Sequence, residues 1–181
     1  MSKSCISNAF IRFARNRFRL DWEGIHGAPH WSRVRHNGLL LAKHYTVDTE
    51  VVQWFAFIHD LERRDDDLDP GHGPRAAVLA KEINDEFMRL DADQLATLQA
   101  ACAGHSEGWI EAEATVMVCW DADRLDLARV GIDPHPDYLC TALARRRDTI
   151  EEAVMRSCPL ELSDASLEWD DSSNVLEKWS Q

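Results

Sequence analysis

Residues 49–60 read TEVVQWFAFIHD, and the interpretation of this stretch decides the fold. From Val51 to Ile58 the only polar side chain is Gln53. Apolarity alone does not separate a buried strand from a buried helix, because neither has a wetted face to reveal its period. Length and neighbours separate them. Asp48 stands where a helix N-cap would, and the run from Thr49 to Asp60 is longer than a typical strand of about 5–6 residues. A buried helix over 49–60 is the expectation.

Working outward, the segment from His30 to His44 carries Val34, Leu40 and Leu41 over a helical length, after a Gly-containing loop from Asp21 to Pro29. Ile6, Phe10, Phe13 and Ala14 fall at helical spacing and suit a first helix. Its Lys3, Arg12, Arg15, Arg17 and Arg19, with no acid before Asp21, also resemble a transit peptide in composition, but packing on the body explains the apolar spacing. Downstream, Glu62 to Gly73 is polar, holds three consecutive aspartates and a Pro-Gly, and reads as a loop. Pro74 suits a helix start, and Ala76, Ala77, Leu79, Ala80, Ile83 and Phe87 keep one face buried to Leu90. Further helices are expected over Ala92 to His105, Glu111 to Asp126 and Asp137 to Met155. No segment alternates like a half-buried strand. The expected class is all-α, a bundle of about six to eight helices spanning residues 1–158 as one domain, followed by an acidic extension over 159–181 that holds at most one short docked helix.

The chain has 181 residues, 45% apolar and 29% charged, which is ordinary for a folded domain able to bury about 70% of its unfolded surface. Its net charge of −12 argues against general nucleic-acid binding, which depends on Lys and Arg displacing counterions. No run of about 18 apolar residues is present to span a membrane. Cys5, Cys102, Cys119, Cys140 and Cys158 are odd in number and never closely paired, so reduced thiols in the cytoplasm are expected rather than a zinc-thiolate site.

The chemistry is expected where the apolar run ends. His59 and Asp60 close it, and a carboxylate beside such a core is costly unless paired or bound to a metal. Adjacent helical residues point about 100° apart, so both reach one ion only across the helix end, with other helices supplying the remaining ligands. His30 and Asp123 are placed to do so. The alternative is a plain helix terminus, with His59 on the dipole and Asp60 capping the next turn.

HWSRV at His30 to Val34, FIHD at Phe57 to Asp60, HGPRAA at His72 to Ala77 and DADRLD at Asp121 to Asp126 occur in that order. In this order, over roughly residues 26–130, the chain resembles the HD superfamily of metal-dependent phosphohydrolases. The resemblance implies an HD-domain helical bundle with His30, His59, Asp60 and Asp123 as ligands of a divalent ion such as Mn, Fe, Co, Ni, Zn or Mg. It selects Asp123 over Asp121 and Asp126, and His30 over His26, which is left as a nearby polar or loop histidine.

The family pattern also implies that extra histidines in the interval can hold a second ion bridged by Asp60. His72 and His105 lie there, as second-ion ligands, proton-transfer groups or phosphate contacts. The adjacent His-His-Glu of the oxygenase-like branch is missing. Guanidinium groups match phosphate oxygens, so Arg33, Arg63, Arg64, Arg75 and Arg124 are candidates to bind the substrate, Arg64 first among them, with pairing to Asp65, Asp66 and Asp67 as the alternative for Arg63. The activity implied is metal-dependent hydrolysis of a phosphoester in a small phosphorylated substrate such as a nucleotide. A non-catalytic metal-holding domain is the alternative. His36, His44 and His135 are expected to be structural, and the tryptophans core, with Trp31 the one to watch beside His30.

Overall fold

Asp48 does cap the central helix: its carboxylate accepts the backbone N–H groups of Glu50 and Val51 at 2.9 and 3.1 Å. The computed structural model describes residues 5–158, and the expected acidic extension over 159–181 lies outside them. Seven α-helices follow in order: α1 Asn8–Arg17, α2 Ala28–Ala42, α3 Thr49–Ile58, α4 His72–Ile83, α5 Ala92–Gly104, α6 Ala114–Arg124 and α7 Arg147–Ser157. There is no strand among the described residues.

Each start has a local cause. Ser7 accepts the Phe10 N–H at the head of α1, Pro29 occupies the first turn of α2, and Asp91 with Gln94 forms a capping box on α5. The long helix expected up to Leu90 is interrupted. After Ile83 it widens into a π-turn over Asn84–Met88 and stops at Arg89, whose φ of 56° is left-handed. The Asn84 side chain bonds the Leu90 N–H and C=O, both at 3.0 Å, and so captures the backbone that would have continued the helix.

The last helix departs furthest from expectation. A short 3-10 turn at Pro136–Tyr138 and an irregular stretch precede α7, which begins ten residues later than Asp137. The buried Asp121 carboxylate takes the Cys140 N–H at 2.6 Å, the Thr141 N–H at 2.8 Å and the Thr141 hydroxyl at 2.7 Å, withdrawing those groups from any helix.

Helix α3 is the buried axis, packed on α2, α5 and α6, with every residue from Val51 to Ile58 buried. Gly38 of α2 lets the two backbones approach: a Cβ there would lie 2.6 Å from Val52 Cγ1. Phe10 of α1 meets Trp54 edge-on at 5.0 Å. Trp31 is fully buried between Phe18 and Trp22, with centroids at 5.1 and 5.2 Å, and is a core residue. Asp48 and Thr115 meet at one end of α3 and α6, while His59 and Asp123 meet at the other. These helices therefore run parallel, and α2 runs opposite to α3, with His30 beside His59. One end of the bundle thus gathers the starts of α2 and α4 and the ends of α3, α5 and α6.

Candidate metal centre

Four side chains from α2, α6 and the end of α3 converge there. His30 Nε2 lies 3.0 Å from His59 Nε2, 3.7 Å from Asp60 Oδ2 and 3.4 Å from Asp123 Oδ1. His59 Nε2 lies 3.6 Å from Asp60 Oδ2 and 3.7 Å from Asp123 Oδ1. Ligands about 2.1 Å from one ion, at tetrahedral or right angles, stand roughly 3.0–3.4 Å apart. Two of the five separations fall in this range and the other three, at 3.6 and 3.7 Å, lie just outside it, so a single cation is within reach of all four side chains.

On the other side of Asp60 is a second group. Asp60 Oδ1 is 3.3 Å from His72 Nε2 and 3.7 Å from His105 Nε2, and those two nitrogens are 2.7 Å apart. His30, His59 and Asp60 form one triad able to hold a metal, and Asp60, His72 and His105 form another. All five residues are buried.

The hydrogen bonds decide what these nitrogens offer. His59 Nδ1 faces the Phe55 carbonyl at 3.1 Å, His105 Nδ1 faces the Cys102 carbonyl at 2.7 Å, and His72 Nδ1 faces the Asp69 carbonyl. A carbonyl only accepts, so each Nδ1 carries the proton and each neutral ring turns an Nε2 lone pair into the site. His30 Nδ1 meets the Asp126 carboxylate at 2.7 Å, with the same consequence. Lone pairs facing each other at 3.0 and 2.7 Å repel unless a cation lies between them.

Which cation differs between the two groups. Burial pulls His59 down to about 3, although Asp60 and Asp123 oppose it, so no proton resides there at neutral pH. His105 is raised: burial works against its charge, but the carboxylates of Asp60 and Asp123 outweigh burial. His59 Nε2 is therefore open to a metal ion, whereas a metal or a shared proton satisfies His72 and His105. Burial alone would raise Asp60 and Asp123, yet the surrounding imidazoles hold both well below the usual carboxylate range. Asp60 Oδ1 is buried and accepts no hydrogen bond, a lack that an ion would make good. The residues fit a divalent metal of the kind that accepts mixed imidazole and carboxylate ligands.

Of the three neighbouring aspartates, Asp123 faces the site, Asp121 holds the Cys140–Thr141 backbone, and Asp126 stands behind His30. Asp126 is fully buried and also takes Arg33 at 2.7 and 3.1 Å and the Ser157 hydroxyl at 2.6 Å. Those donors keep it ionised despite burial.

The cluster opens on a cavity of about 790 Å³, with Asp60, Asp123, His72 and His105 in its wall. Arg64 is not brought to it. That residue is exposed, and its backbone N–H bonds Asp69. Arg63 is, with Nη1 3.6 Å from Asp60 Oδ1 and 3.3 Å from His72 Nε2. It does not pair with the aspartate run through a carboxylate; its Nε donates to the Asp65 carbonyl at 3.0 Å. His26 also lines the cavity, its Nδ1 2.8 Å from Asp66 Oδ1, and burial lowers its pKa. His135, expected to be structural, caps the 3-10 turn at Pro136–Tyr138 and lines the cavity as well. Nothing in the sequence distinguished Arg63 from Arg64 or paired His26 with Asp66, since both depend on how the 62–71 loop folds back.

The all-helical bundle and its two His/His/Asp groups are consistent with the HD-type motif. Comparison with family models, curated proteins and solved structures finds no match to this chain.

Proposed function

We propose that the chain is an HD-type metal-dependent phosphohydrolase acting on a small phosphorylated metabolite in the cytoplasm. The observation that carries this reading is the buried Asp60 carboxylate, whose Oδ1 accepts no hydrogen bond, set between two pairs of imidazoles whose lone pairs face each other. In this reading His30, His59, Asp60 and Asp123 hold the first divalent ion, and Asp60, His72 and His105 hold a second. A divalent ion so placed supplies Lewis acidity and a water-derived nucleophile at neutral pH.

The chain's own groups supply the rest. Asp126 fixes the tautomer and orientation of His30. Arg63, rather than Arg64, is the guanidinium for a phosphoryl oxygen, because it alone of the two stands in the cavity wall beside Asp60. With one ion bound, His72 and His105 keep a shared proton. His26 has Nδ1 committed to Asp66, so its Nε2 is the nitrogen left for proton exchange in the cavity. The cytoplasmic assignment rests on the five cysteines, all free.

The test is Asp60→Ala. Elemental analysis is expected to show loss of bound metal, and a phosphoester panel with added manganese, cobalt or nickel is expected to show loss of turnover. Full activity in a metal-free Asp60→Ala sample would refute the assignment. A wild-type protein that binds metal and hydrolyses nothing on the panel is instead a metal-holding regulatory domain.

A further inference from the structure

The cavity has two unlike parts. The ligand cluster is buried, and the exposed part of the lining carries a group of apolar side chains beside several polar ones. Of the eight large apolar side chains exposed among the described residues, four line this one cavity: Ile25, Val130, Ile132 and Tyr138, at 42, 37, 54 and 67% exposure. Apolar side chains left in water singly are unremarkable, but their convergence on one opening marks a binding surface. They come from two chain segments, around residue 25 and over 130–138, which meet only in the fold.

The arginines in the wall hold that mouth in shape. Arg124 Nη1 donates to the Tyr138 carbonyl at 2.9 Å, and Arg129 Nε donates to the Ile25 carbonyl at 2.8 Å while its Nη1 reaches the Asp126 carbonyl at 3.0 Å. Arg124 Nη1 and Arg129 Nε and Nη1 are thus spent on backbone that positions rim residues, while Arg124 Nη2 is buried without a hydrogen-bond partner. The wall also carries Asp66, Asp67 and Asp133, which repel further negative charge. These three carboxylates disfavour a chain of phosphoryl groups extending from the ligand cluster along this wall.

Resting on the phosphohydrolase reading above, we infer that the substrate is a phosphomonoester whose organic part is an uncharged, largely apolar group of ring size or larger, seated on Ile25, Val130, Ile132 and Tyr138. Pyrophosphate and nucleoside triphosphates are discriminated against at the same mouth. A volume of about 790 Å³ leaves ample space for a ring system beyond the phosphoryl group.

Binding tests this separately from turnover. Calorimetric titration of the manganese-loaded protein with methylphosphonate, benzylphosphonate and imidodiphosphate is expected to rank benzylphosphonate first, by about ten-fold or more over methylphosphonate, as burial of a phenyl ring in an apolar site implies. Tyr138→Ser and Ile132→Ser, both at exposed positions, are expected to shrink that ratio with the helical circular-dichroism signal unchanged. In turnover, kcat/KM is expected to rise from methyl to benzyl to naphthylmethyl phosphate, whose leaving alcohols are of similar acidity. Equal affinity for the two phosphonates, tighter binding of imidodiphosphate, or a ratio untouched by both substitutions overturns the inference while leaving the phosphohydrolase reading standing. Preferential benzylphosphonate binding with no turnover of any ester overturns that reading and keeps the apolar preference.

Discussion

Asp121, Asp123 and Asp126 sit within six residues and do three different things, because each points to a different side of one helix end. Asp126 is the one whose role is indirect: its carboxylate holds both His30 and Arg33. Asp126→Asn keeps the shape but removes the charge, and is expected to weaken metal binding by about 10–100-fold, read by competition with a chromophoric chelator. His59 gives a pH signature in the metal-free protein. An unfolded histidine takes up a proton near pH 6.5, while folded His59 does so only at about 3. Between those values the unfolded chain holds more protons, so stability falls as the pH falls. His72, lowered by burial, acts in the same sense. His105, being raised, contributes fully below its unfolded value and loses that contribution as the pH rises through its folded one, so it does not offset the acid-side loss. The urea midpoint of the metal-free protein is expected to drop steadily from pH 6.5 to 4; a flat midpoint over that range contradicts the burial of a neutral His59.

Helix ends, rather than helix interiors, carry the site, and their positions depend on close approaches between elements. Helix α4 starts two residues before Pro74, which places His72 in its first turn, and Gly73 is then pressed on the end of α5. A Cβ at Gly73 would lie 2.5 Å from the Cys102 carbonyl oxygen and 3.2 Å from His105 Nδ1. Gly73→Ala must push α4 from α5 and part His72 from His105. It is expected to cost about 1–3 kcal/mol of stability in denaturant titrations. Metal stoichiometry is expected to fall toward one ion per chain, because His30 and His59 are held by other helices. Unchanged stability with unchanged stoichiometry would mean that the two helices do not meet at this residue. The sequence pattern showed that helices flank the 62–71 loop; it did not show their first turns, since a proline marks a start only to within a turn.

For the molecule as a whole, an ion at this centre would tie the ends of α2, α3 and α6 together. Ligands that bind only the folded chain stabilise it by mass action, by about 2.7 kcal/mol at a hundred-fold excess over Kd. Scanning calorimetry is accordingly expected to show a higher Tm with saturating manganese than with a strong chelator, and no such shift in Asp60→Ala. An equal shift in Asp60→Ala would place the ion elsewhere.

Helical class, the buried character of residues 49–60, the cap at Asp48, and the residue types at 30, 59, 60 and 123 were all legible in the chain, because apolar periodicity and capping act within a turn or two. Folding alone decided that His72 and His105 share Asp60, that Arg63 rather than Arg64 faces it, and that His26 pairs with Asp66. It also decided that residues 139–146 forgo a helix for the Asp121 carboxylate, and that Ile25 meets Tyr138 at one mouth. These outcomes depend on which ends of separately formed helices come to rest together, and contacts between residues far apart along the chain leave no local pattern to read.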